Sequence, residues 1–153
     1  MADFEVARRT VIAAEPARVH GLIDDFHQWV HWSPWEDIDP ELNRRYAGPE
    51  SGVGASYSWN GNRKAGSGTM TITSSTEQEI GVRVEFRKPI AATNDVRFEL
   101  AGVAGGTEVT WRMTGRRTGF LGLVGRVVPM DKFIGKDFEK GLARLKTAAE
   151  QPA

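Results

Sequence analysis

Between residues 43 and 113 the chain passes through one alternating segment after another, separated only by short turns. Ala55, Tyr57 and Trp59 share a face of one segment. After the turn signal Asn60-Gly61-Asn62, Gly66, Gly68, Met70 and Ile72 share a face of the next. Ile80, Val82, Val84 and Phe86 alternate with Gly81, Arg83, Glu85 and Arg87, and Pro89 ends that run. Val96, Phe98 and Leu100 follow, then the turn Gly105-Gly106, then Val109, Trp111 and Met113. A period of two places every second side chain on the same side of a sheet. Connections this short join antiparallel neighbours, so the pattern predicts an antiparallel meander with one wet face and one apolar face.

Helical spacing brackets this region. Residues 4–12 alternate, with Phe4, Val6, Arg8, Thr10 and Ile12 on one face, and predict a first strand. Pro16 then suits a first helical turn, and Val19, Leu22, Ile23, Phe26 and Val30 recur at helical spacing until Pro34 stops them. At the other end Met130, Ile134, Phe138, Leu142 and Leu145 form one stripe, and Lys132, Lys136, Lys140 and Arg144 lie opposite. The order is strand, helical segment, many strands, long helix. That is an α+β arrangement in which the last helix must cover the apolar face. No repeat or linker divides residues 1–153, so one domain is expected.

The covered face is unusually aromatic. It carries Tyr57, Trp59, Met70, Phe86, Phe98, Trp111 and Met113, and the helix adds Met130, Ile134 and Phe138. One reading makes these a filled core. The other makes them the lining of a pocket in the wedge between sheet and helix, with Tyr hydroxyl or Trp N–H groups as polar handles. Arg8 falls on the same strand face. It would either meet a ligand anion inside or pair with an acid at the rim.

Composition removes several classes of function. Cysteine is absent, which excludes disulfides, thiol catalysis and cysteine zinc sites. Lys plus Arg and Asp plus Glu both number 20, a balance that argues against a nucleic-acid partner. No run approaches the roughly 20 apolar residues of a membrane span, so stable membrane insertion is not expected. The start Met1-Ala2-Asp3-Phe4-Glu5 lacks the pattern of an export signal, which makes the cytoplasm the default expectation.

Several motifs then combine. Trp32-Ser33-Pro34-Trp35-Glu36 is followed by Asp39-Pro40. Gly52-Val53-Gly54-Ala55 precedes a strand ending in Trp59, and Gly106-Thr107-Glu108-Val109-Thr110-Trp111 opens another. Met130-Asp131-Lys132, Gly135-Lys136-Asp137-Phe138-Glu139 and Gly141-Leu142-Ala143-Arg144-Leu145-Lys146 follow. In this order and spacing they resemble the polyketide cyclase/dehydrase branch of the START-like (SRPBCC) superfamily. The resemblance implies a helix-grip fold: a curved seven-stranded antiparallel sheet wrapped around a long C-terminal helix, with two short helices after the first strand. It also implies a cavity for lipids, polyketides or other small apolar molecules. It does not select one reaction, because the superfamily holds binders, carriers, cyclases and chaperone-associated modules.

The candidate cavity set is therefore Arg8, Tyr57, Trp59, Met70, Phe86, Phe98, Trp111, Met113, Met130, Ile134 and Phe138. Tyr57 is the best inward-facing candidate for acid–base chemistry, with Arg8 as an oxyanion partner, and no Ser-His-Asp arrangement can be placed. His20, Asp24, His27 and His31 would share one side of a continuous helix. That stripe opposes the apolar one, so it reads as a solvated face rather than a metal site. No cofactor is expected. Trp29, Trp32 and Trp35 are spaced by three and read either as a clamp on the irregular segment or as a partner surface. Residues 119–128 carry only one charge, Arg126, and read either as a flap over the cavity or as a packed connection. Mixed charges on the outer strand faces need only each other. Three functions stay open: binding of a small apolar ligand, cyclase or dehydratase chemistry in the same pocket, and an interaction module without a small ligand. The oligomeric state is open between monomer and homodimer.

Overall fold

A computed structural model describes residues 4–34, 42–62, 66–88, 91–115 and 130–151. The strands are β1 (Phe4–Ile12), β2 (Asn43–Ala47), β3 (Ser56–Asn60), β4 (Ser67–Thr76), β5 (Glu79–Lys88), β6 (Ala92–Val103) and β7 (Gly106–Gly115). They form a seven-stranded sheet in the order β1-β7-β6-β5-β4-β3-β2, antiparallel throughout. Helix α1 (Pro16–Ile23) and a 3₁₀ helix (Phe26–His31) follow β1, and α2 (Met130–Glu150) closes the chain. This is the α+β helix-grip arrangement.

The meander follows from its turns. Two residues join β6 to β7, and Gly105 there adopts φ +83°, a left-handed conformation that glycine reaches without steric cost. Ladder partners place the predicted apolar faces side by side. Ile80, Phe98 and Trp111 align across β5, β6 and β7. Val82, Val96 and Met113 form the next level. Tyr57, Met70 and Val84 align across β3, β4 and β5. On the outer face Arg97 and Arg112 stand directly opposite one another. Diagonal acids offset this repulsion: Arg112 donates to Glu5 at 2.7 Å and Glu99 at 3.1 Å, and Arg97 pairs with Glu79 at 3.3 Å.

Helix α2 lies across the inner face, and two glycines let it approach closely. A Cβ at Gly141 would lie 2.6 Å from the Trp111 ring, and one at Gly135 would lie 2.2 Å from the Arg8 guanidinium. Trp111 stacks on Phe138 of α2 with centroids 4.3 Å apart and planes 10° off parallel. Fully burying Phe138 contributes about 2–3 kcal/mol.

Side chains from neighbouring elements cap the C-terminal ends of both α-helices. A helix C-terminus leaves its last carbonyls without intrahelical partners. Trp29 Nε1 donates to the Ile23 carbonyl and Trp32 Nε1 to the Leu22 carbonyl, each at 2.8 Å, which satisfies the end of α1. Arg18 of α1 donates to the carbonyls of Ala149 at 2.6 Å, Gln151 at 2.9 Å and Ala148 at 3.3 Å, placing a cation at the negative end of α2.

The structure refines the sequence pattern in three places. The helical spacing from Val19 to Val30 divides after Ile23 into the two short helices that the resemblance implies, because the Asp25 side chain accepts from the His27 N–H and starts a separate 3₁₀ turn. His27 and His31 therefore do not share an α-helical face. His20 and Asp24 are half-buried rather than solvated. Finally, β4 carries an irregularity between Ile72 and Ser74, after which Ser75 pairs with Ile80 on the inner side. There Ser75 Oγ donates to Asp24 Oδ1 at 2.7 Å and lies 3.2 Å from His20 Nε2. The extra residue in the strand exchanges the faces and ties α1 to the sheet.

Candidate functional site

Between the inner face, the 3₁₀ helix and α2 lies a partly open cavity of about 270 Å³. The period of two supplies its floor and walls: Tyr57 and Trp59 from β3, Met70 from β4, Val82, Val84 and Phe86 from β5, Val96 from β6, and Trp111 and Met113 from β7. Ile134, Asp137 and Phe138 enter from α2, and Phe26, Trp29, Ser33 and Leu42 from the segment after β1.

A glycine shapes one wall. Gly68 pairs with both Trp59 and Phe86, and a Cβ on it would lie 2.5 Å from the Trp59 ring. The indole lies across the gap that the glycine leaves. Phe86 meets that indole edge-on at 5.8 Å, and Phe26 lies 5.9 Å from the Tyr57 ring. Tyr57 is only 7% exposed, so its phenol belongs to the interior.

Of the sequence-derived set, Tyr57, Trp59, Met70, Phe86, Trp111, Met113, Ile134 and Phe138 converge on this space. Phe98 does not line it. It is fully buried beneath Trp29, Trp32 and Trp111, whose rings surround it at 5.9, 5.9 and 4.9 Å, so it serves as core. Arg8 does not line it either. Its guanidinium turns to α2, donates from Nε to Glu139 at 2.9 Å and lies against Gly135. The reason is proximity: β1 runs beneath α2 and brings Glu139 of that helix within reach. The Met130 side chain, Trp35 and residues 119–128 lie outside the described residues. Trp29 and Trp32 are buried at 4% and 0% exposure, the arrangement of a clamp rather than of a partner surface.

The sequence reading missed the polar part of the lining. Ser33 and Asp137 join Tyr57 there. A signal for Asp137 existed: Ile134, Asp137, Phe138 and Gly141 stand at i, i+3, i+4 and i+7, one helical face. Arg144 donates to the Ser33 carbonyl at 3.1 Å and so ties this residue's backbone to α2. The Ser75, His20 and Asp24 cluster is a Ser-His-Asp constellation that sequence spacing did not reveal. His20 Nδ1 stands 4.0 Å from Asp24, and the serine hydroxyl is directed at the aspartate, so this is no proton relay of the catalytic kind. None of the three lines the cavity.

Comparison with known families decides the assignment. Residues 3–150 match the model of a family described as "Polyketide cyclase / dehydrase and lipid transport". The chain belongs to this family. No curated protein matches this family member significantly. Solved structures share its fold. Protein CV1439 from Chromobacterium violaceum superposes with a TM-score of 0.69 at 13% identity, covering 97% of this chain and 98% of its own. The di-domain ARO/CYC BexL of the BE-7585A biosynthetic pathway gives 0.68 at 13% identity, covering 98% of this chain and 51% of its own. The Aha1 dimer from Colwellia psychrerythraea gives 0.66 at 16% identity, covering 96% of each chain. At these identities the likeness of this cyclase/dehydrase-family chain to them concerns the fold. No described helix of the chain is long and apolar enough to cross a membrane.

Proposed function

We propose that the protein binds a small, largely apolar, ring-containing molecule in the cavity between sheet and α2. The observation that carries this reading is the cavity itself: about 270 Å³ with a mostly apolar, strongly aromatic lining and three polar side chains. A partly open apolar space of this size gains free energy when a ligand displaces the water that enters it. Burial of apolar surface would drive binding, and Ser33, Tyr57 and Asp137 would orient the ligand. The volume equals about nine waters at ~30 Å³ each. That suits one or two fused rings better than a two-chain lipid.

The test is native mass spectrometry of the purified protein, followed by extraction under denaturing conditions. A stoichiometric small molecule supports the reading and identifies the ligand's class. For empty protein, titration with the neutral probe N-phenyl-1-naphthylamine takes over. Saturable binding that is lost when Met70 is replaced by Trp supports the cavity, whereas no saturable binding removes the reading.

A second reading is cyclase or dehydratase chemistry in the same space. It is favoured by one observation: a phenol and a carboxyl group, Tyr57 and Asp137, line one apolar cavity. The family description and the likeness to the di-domain ARO/CYC BexL are consistent with it. Full turnover of a polyketide substrate by a Tyr57→Phe variant would exclude Tyr57 as the acid or base.

A further inference from the structure

One wall of the cavity depends on a missing side chain. Trp59 and Gly68 are ladder partners, and Gly68 pairs in turn with Phe86, so all three share the inner face. A Cβ on Gly68 would lie 2.5 and 2.8 Å from two carbons of the Trp59 six-membered ring. Carbon atoms pack at about 3.5–4.0 Å, so the indole occupies volume that any other residue at 68 would claim. Its alternatives are few. Tyr57 lies beside it with centroids 6.4 Å apart, Phe86 meets it edge-on at 5.8 Å, and Arg44 of β2 stands in register with it. An indole denied the Gly68 gap has to lift off the sheet, into the space beneath α2. Its position also bears on access. Trp59, Phe86 and Ile134 are half-buried, whereas Trp29, Trp111 and Phe138 are buried, so the cavity opens on the side where Trp59 stands.

From this we infer that Trp59 is the specificity-determining wall that restricts the ligand to a compact ring system, and that Gly68 is the residue that positions it. The inference rests on the ligand-binding reading and adds what sets the ligand's size. A rigid ring system that reaches from the buried end toward the opening meets the indole and cannot bend around it. With the indole over Gly68 the cavity keeps its 270 Å³. Raised by about 1 Å, the same ring takes clearance along one side of the space, and close-packed walls do not return it. Removing the indole instead lengthens the cavity toward the opening. Replacing either member of the pair should therefore change which ligand fits, while the rest of the lining stays as it is.

Three neutral probes of growing length test this by equilibrium dialysis: p-cresol, 2-naphthol and 2-anthrol. The unaltered protein is expected to prefer 2-naphthol. Trp59→Ala should raise the affinity for 2-anthrol relative to 2-naphthol roughly tenfold or more, the range of relieved overpacking. Gly68→Ala should weaken 2-naphthol by roughly tenfold and leave the smaller p-cresol nearly unchanged, which reports an intact cavity. The added methyl also lies 2.6 Å from the Glu85 carbonyl oxygen, so Gly68→Ala disturbs the sheet as well. A double-mutant cycle separates the two effects: in the Trp59→Ala background Gly68→Ala should no longer weaken 2-naphthol. If Gly68→Ala does not fold, Trp59→Ala and Trp59→Phe decide, with the relative affinity for 2-anthrol rising as the side chain at 59 shrinks. A ring-size preference that Trp59→Ala leaves unchanged overturns the inference while keeping a ligand cavity in place. A Gly68→Ala defect that persists without the indole overturns the role of Gly68. Failure of all three probes to bind the unaltered protein removes instead the underlying reading for ligands of this size.

Discussion

Alanine at Gly141 should cost more stability than alanine at Gly135, although both sit in α2. Either substitution gains about 1 kcal/mol in helix propensity. At Gly141 the new methyl would lie 2.6 Å from the Trp111 ring and 3.0 Å from Pro34. Carbon atoms pack at about 3.5–4.0 Å, so the ring must retreat by about 1 Å. Trp111 is 1% exposed and is held by Phe138, Phe98 and Trp32, with centroids at 4.3, 4.9 and 5.6 Å. Overpacking such a site costs about 1–3 kcal/mol, which leaves a net destabilisation of about 1 kcal/mol. At Gly135 the methyl meets only the guanidinium end of Arg8, a side chain 25% exposed that can swing away. Swinging away gives up the exposed pair with Glu139, worth about 0–1 kcal/mol, and disturbs the 2.7 Å hydrogen bond to the Ala7 carbonyl, so Gly135→Ala should be less destabilising than Gly141→Ala. Urea unfolding followed by tryptophan fluorescence reads both values. Thermal melts should separate the two variants by about 2–6 °C. Because Trp111 lines the cavity, Gly141→Ala should also weaken probe binding. Equal stabilisation by both alanines would refute the close approach of α2 to Trp111.

Other perturbations test other parts of the structure. Phe138→Ala removes a fully buried ring stacked on Trp111 and should cost about 3–5 kcal/mol in a urea titration while enlarging the cavity. Ser75→Ala leaves the half-buried Asp24 without its 2.7 Å donor and should cost about 1–3 kcal/mol by the same measurement. Glu150 has its pKa lowered by the hydrogen bond from Lys146 and by the Ala13 N–H. A lowered folded-state pKa contributes stability that is full above the unfolded value and is lost as pH falls through the folded one, so a small contribution should fade as pH drops below the ordinary glutamate range. The Glu150→Gln variant should show correspondingly less acid sensitivity in melts recorded between neutral pH and pH 3.

The faces of β3, β5, β6 and β7 could be read in the sequence because a period of two survives any regular pairing. Helix α2 could be read for the same reason at its own period. Ser75 could not, since one extra residue in β4 moves it to the other face and nothing local announces the irregularity. Phe98 and Phe86 show the limit of patterning: both face inward, yet one is core and the other lines a space, a difference set by what the 3₁₀ helix places above each. Arg8 shows another limit. Its face was legible, but its partner depends on Glu139, 131 positions away. Asp137 was legible in principle and is lost when charged residues are assigned to solvent by type.

The position of α2 has a consequence for how the protein comes into being. β1 pairs with β7, and Ile134, Asp137 and Phe138 complete a cavity whose other walls are encoded earlier. During synthesis the aromatic face of the sheet lacks the cover of α2 until residues 130–150 have left the ribosome. Such late, long-range closure is slow, and it leaves an apolar surface open to wrong partners in the meantime. Any ligand that filled the space would act as the last piece of the core, and the protein's yield in a cell would then rise with that ligand's supply.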